Sequence, residues 1–297
     1  MTTAMSTTNQ IFDWSRFTAA LRKEVVENQR QLLLIVASMF LFFTVVMIIS
    51  NVISRGLMLA SYYDYAISQG VHSAIISLFY SVIIAVTASL AFRNLTSKSG
   101  RVAMFTSPIS TTEKFLVNLL IYVIGALVAF IVCVQLADLT RIAVLAPFTS
   151  ENFHVPGPIN YVSALFNSYG KIMHMTEMLN EYAPMHASSL LKAMAIISTF
   201  LMPAVYFMGS VLWPRMSLVK SFFASQIINI VVSIIMAMFF AMPLVLSKGD
   251  IQPDNLSFLI NYTIVSSCIN LVILACCWVG SWYLFKHKDV VSLKWWS

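Results

Sequence analysis

Side chains of the types that bind transition metals cluster just past the middle of the chain. They are His174, Glu177, Glu181 and His186, together with Met173, Met175, Met178 and Met185. On a helix, His174, Glu177 and Glu181 share one face. Their spacing matches no closed set of zinc or copper ligands, and the charged face of an exposed helix has the same pattern. We therefore expect an exposed helix face and no metal.

Side-chain amides within the longest apolar runs are the other candidates for binding chemistry. They are Gln226 and Asn229, one helical turn apart, and Asn261 and Asn270. An amide in lipid needs a hydrogen-bond partner, so each should face another helix or a cavity. We favour bonds between helices over contacts on a substrate path, because such bonds are common in membrane proteins.

None of the predicted spans contains Asp, Glu, Lys or Arg, and Asp138 lies only at the outer end of the third. A carrier coupled to protons or sodium usually needs such a residue near mid-membrane, which makes this class less favoured. No phosphate-binding glycine-rich loop is present either, since the single Gly-Lys pair, Gly170-Lys171, is followed by Ile172. We expect no enzyme activity and no cofactor in this chain, so any nucleotide hydrolysis would belong to another chain.

The composition predicts an all-α integral membrane protein, because 59% of the residues are hydrophobic and only 10% are charged. Six apolar runs have the length of spanning helices. We place them at 32–53, 74–92, 115–136, 193–213, 221–246 and 258–285. Residues 32–297 therefore form a six-helix transmembrane domain, preceded by residues 1–31.

The distribution of positive charge predicts the orientation of the spans. Most of the 18 Lys and Arg residues fall on the side of the N-terminus, which assigns both termini to the cytoplasm. The net charge of +6 fits this orientation better than it fits nucleic acid. Residues 13–31 form an amphipathic helix with apolar residues on one side and basic residues on the other. This helix either lies on membrane lipid or exposes a solvated face.

One connection on the outer side, residues 139–192, is too long for a simple turn. Pro156, Gly157 and Pro158 break its first half. Its second half, residues 159–182, has helical spacing of apolar residues on one face and charged residues on the other. We expect an external amphipathic helix between spans three and four.

The polar interval 93–114, between spans two and three, ends in a strong helix-start signal. Ser110 and Glu113 have the spacing of a capping box, in which each side chain binds the backbone N–H of the other residue. Pro108 lies just upstream and cannot occupy a helix interior. Span three should therefore begin at a well-defined joint.

Pro108-x-Ser110-x-x-Glu113-Lys114-Phe115 resembles a run that precedes the third span in a bacterial branch of ABC-2 type ABC transporter permeases. The six spans, the cytoplasmic termini and the amphipathic first helix are also similar to that family. The chain departs from it at Ser107, where the family run usually has Leu. It also departs in its external segment, which is larger than a minimal permease needs.

The resemblance implies a permease subunit of an exporter in the bacterial inner membrane. Two such subunits, identical or different, would pair, and a separate ATP-binding subunit holding ATP and magnesium would dock on the cytoplasmic face. The interval 93–114 would contain the coupling helix. Candidate docking residues are Arg93, Lys98, Arg101 and Phe105. Pro108, Ser110, Glu113 and Lys114 would form the joint to span three.

Other interpretations of the same residues stay open. The basic residues of 93–114 could serve only to orient the chain in the membrane. The chain could be a non-transporting scaffold or accessory subunit that binds a partner through its external helix. A membrane-embedded enzyme would have to use the external His and Glu residues.

Overall fold

The computed structural model describes residues 12–57, 65–148, 187–238 and 255–287, and helices make up almost all of them. No strand occurs within these ranges. The helices are α1 (Trp14–Glu27), α2 (Gln29–Leu57), α3 (Tyr65–Ser89), α4 (Lys98–Thr106), α5 (Thr111–Leu119), α6 (Ala126–Leu145), α7 (Ala187–Leu212), α8 (Ser217–Met236) and α9 (Asn255–Lys286). The all-α prediction is confirmed for the part of the chain that the structure describes.

Four helical stretches are long and apolar enough to cross a membrane: Gln29–Val52, Thr111–Phe148, Ser217–Met236 and Ile264–Lys286. Two more apolar stretches, Leu78–Ser89 and Ile196–Leu212, are shorter. The chain therefore has the helices of a multi-span membrane protein, and the count of six spans stays a prediction.

The helix that contains the third predicted span, 115–136, is longer than that span. α6 continues to Leu145, past Asp138 and Arg141, which were expected at the outer end of the span and beyond it. The reason is that these two side chains form an ion pair on one face of the helix, so neither has to leave the bundle to reach water. The segment 139–192 thus begins inside α6 and ends inside α7. The predicted helix 159–182, which contains His174, Glu177 and Glu181, lies outside the described residues, as does His186.

Two clusters of buried side chains hold the described helices together. The first lies at the end of the bundle where α1 packs, called here the α1 end. Its centre is a group of aromatic rings, Phe92, Phe115, Phe207 and Phe285, that belong to four different segments. The second lies deeper, where Phe43 and Tyr80 pack edge-on against Phe130. Edge-on aromatic pairs stabilise contacts beyond the area that they bury.

A proline inside α7 explains a hydrogen bond between α3 and α7. Pro203 has no backbone N–H, so the carbonyl of Thr199, four residues earlier, loses its helical donor. The hydroxyl of Tyr80 donates to that carbonyl at 3.0 Å. In lipid such a carbonyl needs a replacement donor, and Tyr80 supplies it from the neighbouring helix.

Between α5 and α6 the helix widens into a π segment, Leu120–Gly125. π segments are rare and often lie near functional sites. A Cβ at Gly125 would lie 3.1 Å from the carbonyl oxygen of Leu120, so glycine suits the widened turn. The apolar stretch Thr111–Phe148 contains the third predicted span and is called here the third spanning helix. It is continuous but irregular over its first half.

We predict that Gly209→Ala separates α7 from α8. A Cβ at Gly209 would overlap the side chain of Ser221, which is buried in α8. Overpacking of this kind costs about 1–3 kcal/mol. The free energy of unfolding in a denaturing detergent should fall by that amount.

Gly280→Ala is the matched control, because its Cβ would lie 3.6 Å from Met208 Sδ, an ordinary contact. It should leave the stability within about 0.5 kcal/mol. Adding Ser221→Gly to the Gly209→Ala variant should restore its free energy of unfolding. Equal stability of the two alanine variants would contradict the close packing of α7 on α8.

Candidate functional site

The joint before the third spanning helix is centred on the carboxylate of Glu113, which is completely buried. The Ser110 N–H donates to Glu113 Oε2 at 2.8 Å, and the Glu113 N–H donates to Ser110 Oγ at 3.2 Å. The predicted capping box is therefore present. Pro108 lies on the exposed link between α4 and α5, and Lys114 is half-buried in the first turn of α5.

The same carboxylate also fixes the start of the chain's first helix. The N–H of Asp13 donates to Glu113 Oε1 at 2.7 Å, and Arg16 Nη2 lies 3.4 Å from that oxygen. Sequence reasoning missed this contact, since the partners are far apart in the sequence and Asp13 contributes only a backbone atom. Glu113 therefore ties α1 to the third spanning helix.

Asp13 has a second role, as the N-cap of α1. Its carboxylate accepts hydrogen bonds from the hydroxyl and the backbone N–H of Ser15, at 2.9 and 2.8 Å. These bonds lower the pKa of Asp13 below its usual value. The first turn of α1 is thus stabilised by the residue whose N–H binds Glu113.

The short helix α4, in the predicted coupling loop, is anchored through one side. The Oγ of Ser97 caps its N-terminus by accepting from the Gly100 N–H at 3.0 Å. Gly100 lies against the carbonyl of Asn94, with no room for a Cβ. Arg101 Nη1 donates to the carbonyl of Leu95 at 3.1 Å. α4 therefore rests on the single turn Arg93–Thr96 that precedes it.

That turn also contacts the link between α7 and α8. The hydroxyl of Thr96 donates to the carbonyl of Pro214 at 3.2 Å. On the other side of α4, Phe105 stacks against Phe285 of α9, with ring centroids 6.4 Å apart. α4 thus contacts α9 directly through Phe105, and the turn that precedes it contacts the link between α7 and α8.

The opposite face of α4 is exposed and shallow. It is lined by Lys98, Ser99, Val102 and Ala103, with Thr106 continuing the exposed stripe. Of the four predicted docking residues, the structure places only Lys98 on this outer face. Arg93 is exposed but donates to Gln31 at 3.1 Å, Arg101 binds the preceding turn, and Phe105 points inward. Charge alone did not indicate which side of α4 faces outward.

The predicted polar residues of the spans are not brought together into one site. Gln226 and Asn229 are exposed on the surface of α8, whereas Asn270 is half-buried in α9. Asn261 lies in the backbone of α9, and the structure does not describe its side chain. Within the described residues these amides do not line a shared cavity.

A buried polar cluster at the far end of α6 was missed. Arg141 Nε donates to Asp138 Oδ1 at 2.8 Å, and Arg141 Nη1 donates to Asn51 Oδ1 of α2 at 3.3 Å. Asp138 and Arg141 are completely buried. The signal that could have found the pair is the three-residue spacing of opposite charges, which places them on one helix face.

Metal ligands do not cluster in the part of the chain that the structure describes, where no group of three or more His, Cys, Asp or Glu residues could hold an ion. The four cysteines are free thiols, two of them buried. In comparisons with known proteins, no family model, no curated protein and no solved structure matches this chain.

Proposed function

We propose that this chain is the membrane-spanning permease subunit of an ABC-2 type exporter, driven by ATP hydrolysis on a separate subunit. The observation that supports this most is the construction of α4. It is anchored to the bundle on one side, exposed on the other, and followed directly by a capped joint into a spanning helix. A push on the exposed face would thus reach the membrane through a stiff connection.

In this proposal the ATP-binding subunit docks on the outer face of α4, formed by Lys98, Ser99, Val102 and Ala103. Nucleotide-driven closing of two such subunits would shift α4 and, through Ser110 and Glu113, the third spanning helix. Two arrangements of the bundle, open to either side of the membrane, would then exchange. The α1 end faces the cytoplasm, both termini lie there, and the apolar runs form six spans.

A second permease subunit is part of the same proposal. Gln226 and Asn229 are polar, yet they project from α8 away from the rest of the chain. In lipid their amides need partners, and a second copy of α8 would offer matching donors and acceptors. α8 has only Ser217, Ser221, Ser225 and Met236 buried within its own chain, which leaves most of its surface for such a contact.

The experiment is purification of the tagged chain from its native membranes in mild detergent, with ATPase activity as the readout. We expect Val102→Glu to reduce the co-purified ATPase activity by roughly thirtyfold, since a charge in the centre of an interface costs about 2 kcal/mol or more. Val26→Glu is the matched control. Val26 is an exposed valine on α1, 54% accessible compared with 41% for Val102.

The control variant should keep the ATPase. If the unaltered chain brings no ATPase with it, the proposal is wrong, and a scaffold that binds its partner elsewhere becomes the better explanation. If Val102→Glu and Val26→Glu retain equal activity, the docking surface is not on α4.

A further inference from the structure

A cavity of about 320 Å³ lies at the α1 end, between α1, α2 and the third spanning helix. Leu21 and Val25 of α1 line one side, and Ile35 and Met39 of α2 line another. The third side is formed by Gly125 and Ala129, at and just after the π segment. The cavity is partly open to the surroundings of the chain.

The walls of this cavity are suited to hydrocarbon and not to a polar ligand. Thr87, one of its two polar lining residues, donates its hydroxyl back to the carbonyls of Ile83 and Ile84 at 3.1 Å. Glycine and alanine at 125, 126 and 129 leave space that a larger side chain would fill. An apolar ligand could therefore contact α1, α2 and the third spanning helix while the hydroxyl of Thr87 keeps its own acceptors.

A cation lies next to the residues that line the cavity. Arg93 is exposed and donates to Gln31, the residue before the lining residue Leu32. Tyr122, the other polar residue of the wall, is buried. The carboxylate of Glu24 is occupied by a 2.9 Å hydrogen bond from Asn28. Arg22 and Arg30 are exposed on the adjoining turns of α1 and α2.

We propose that this cavity binds one acyl chain of an anionic phospholipid, with the phosphate held at Arg93. In such a lipid the negative phosphate lies next to the acyl chains, just as Arg93 lies next to the apolar cavity. α1 is amphipathic and adjoins the spanning helix α2, so the mouth lies at the level where headgroups meet acyl chains. The site needs only a membrane around the chain, and it is independent of any ATPase partner.

The first test cross-links phosphatidylglycerol with a photoreactive group in one acyl chain to the unaltered protein in lipid nanodiscs. We expect labels on Ile35 and Met39, which face the cavity. Leu33 and Leu34 of the same helix are 68% and 67% exposed and face away from it. Labels confined to Leu33 and Leu34 would overturn the proposal, because they would show only the bulk lipid around the helix.

The second test measures phospholipid retained by the chain in mild detergent, by native mass spectrometry. Ala129→Phe should fill the cavity and remove most of the retained phosphatidylglycerol. Val132→Phe is its control on the same helix, since Val132 is exposed and outside the cavity. Equal retention by both variants, with unchanged helix content, would refute the site.

The phosphate contact is tested by Arg93→Gln and its control Arg30→Gln. Arg93→Gln should abolish the preference for phosphatidylglycerol over phosphatidylcholine, whereas Arg30→Gln should keep it. Retention of a free fatty acid in place of phospholipid would overturn the assignment. The lipid measurements use the chain alone. The lipid site and the ATPase partner are therefore tested independently, and a negative result for one does not change the result for the other.

Discussion

Glu113→Ala is expected to release α1 from the bundle and to lower the free energy of unfolding by about 3 kcal/mol. The buried carboxylate accepts from the N–H groups of Ser110 and Asp13 and lies 3.4 Å from Arg16. Its removal takes a completely buried acceptor away from two backbone N–H groups, which is costly, whereas Arg16 is 40% exposed and can reach water. Limited trypsin digestion, which would cut after Arg22 and Lys23, should become faster.

Glu27→Ala is the control for this variant. Glu27 forms an exposed pair with Lys23, with 57% of its side chain accessible, and such pairs contribute little. Its stability and its digestion rate should match those of the unaltered chain. If Glu113→Ala behaves like Glu27→Ala, the contact between α1 and the joint does not stabilise the fold.

Asp138→Leu is expected to destabilise the chain by about 3–5 kcal/mol. It removes the acceptor of the 2.8 Å hydrogen bond from Arg141 Nε, while the guanidinium stays completely buried. Breaking a buried ion pair on one side has this cost, because the remaining charge loses an interaction that offset its burial. Unfolding in a denaturing detergent would measure the loss.

Removal of both charges separates the cost of a lone charge from the value of the pair. The double variant Asp138→Leu/Arg141→Met should recover most of the lost stability, since apolar residues of similar volume often replace a buried pair without penalty. Thr140→Leu, on the same helix and away from the pair, should change the free energy of unfolding little. A double variant less stable than Asp138→Leu would indicate that the pair itself stabilises the helix contact.

The parts of the fold that depend on neighbouring residues were predictable from the sequence. The capping box at Ser110 and Glu113 is such a part, since both partners lie within one helical turn. The contact of Asp13 with Glu113 is not, because it spans 100 positions and uses a backbone donor that every residue but proline has. The role of Glu113 as a link between helices therefore became visible only in three dimensions.

The orientation of α4 shows a second limit. Its basic residues predicted a docking surface. The side of α4 that faces outward, however, depends on the close approach of Gly100 to Asn94. The end of α6 shows the same limit. Two charges in an apolar run are expected to end a span, but here they pair with each other and the helix continues to Leu145.

The bond between Asp13 and Glu113 also fixes an order of assembly during synthesis. α1 leaves the ribosome before its acceptor, which is made 100 residues later. Until then its amphipathic character can hold α1 at the membrane surface. The docking of α1 therefore follows the insertion of the third spanning helix and reports that this helix is in place.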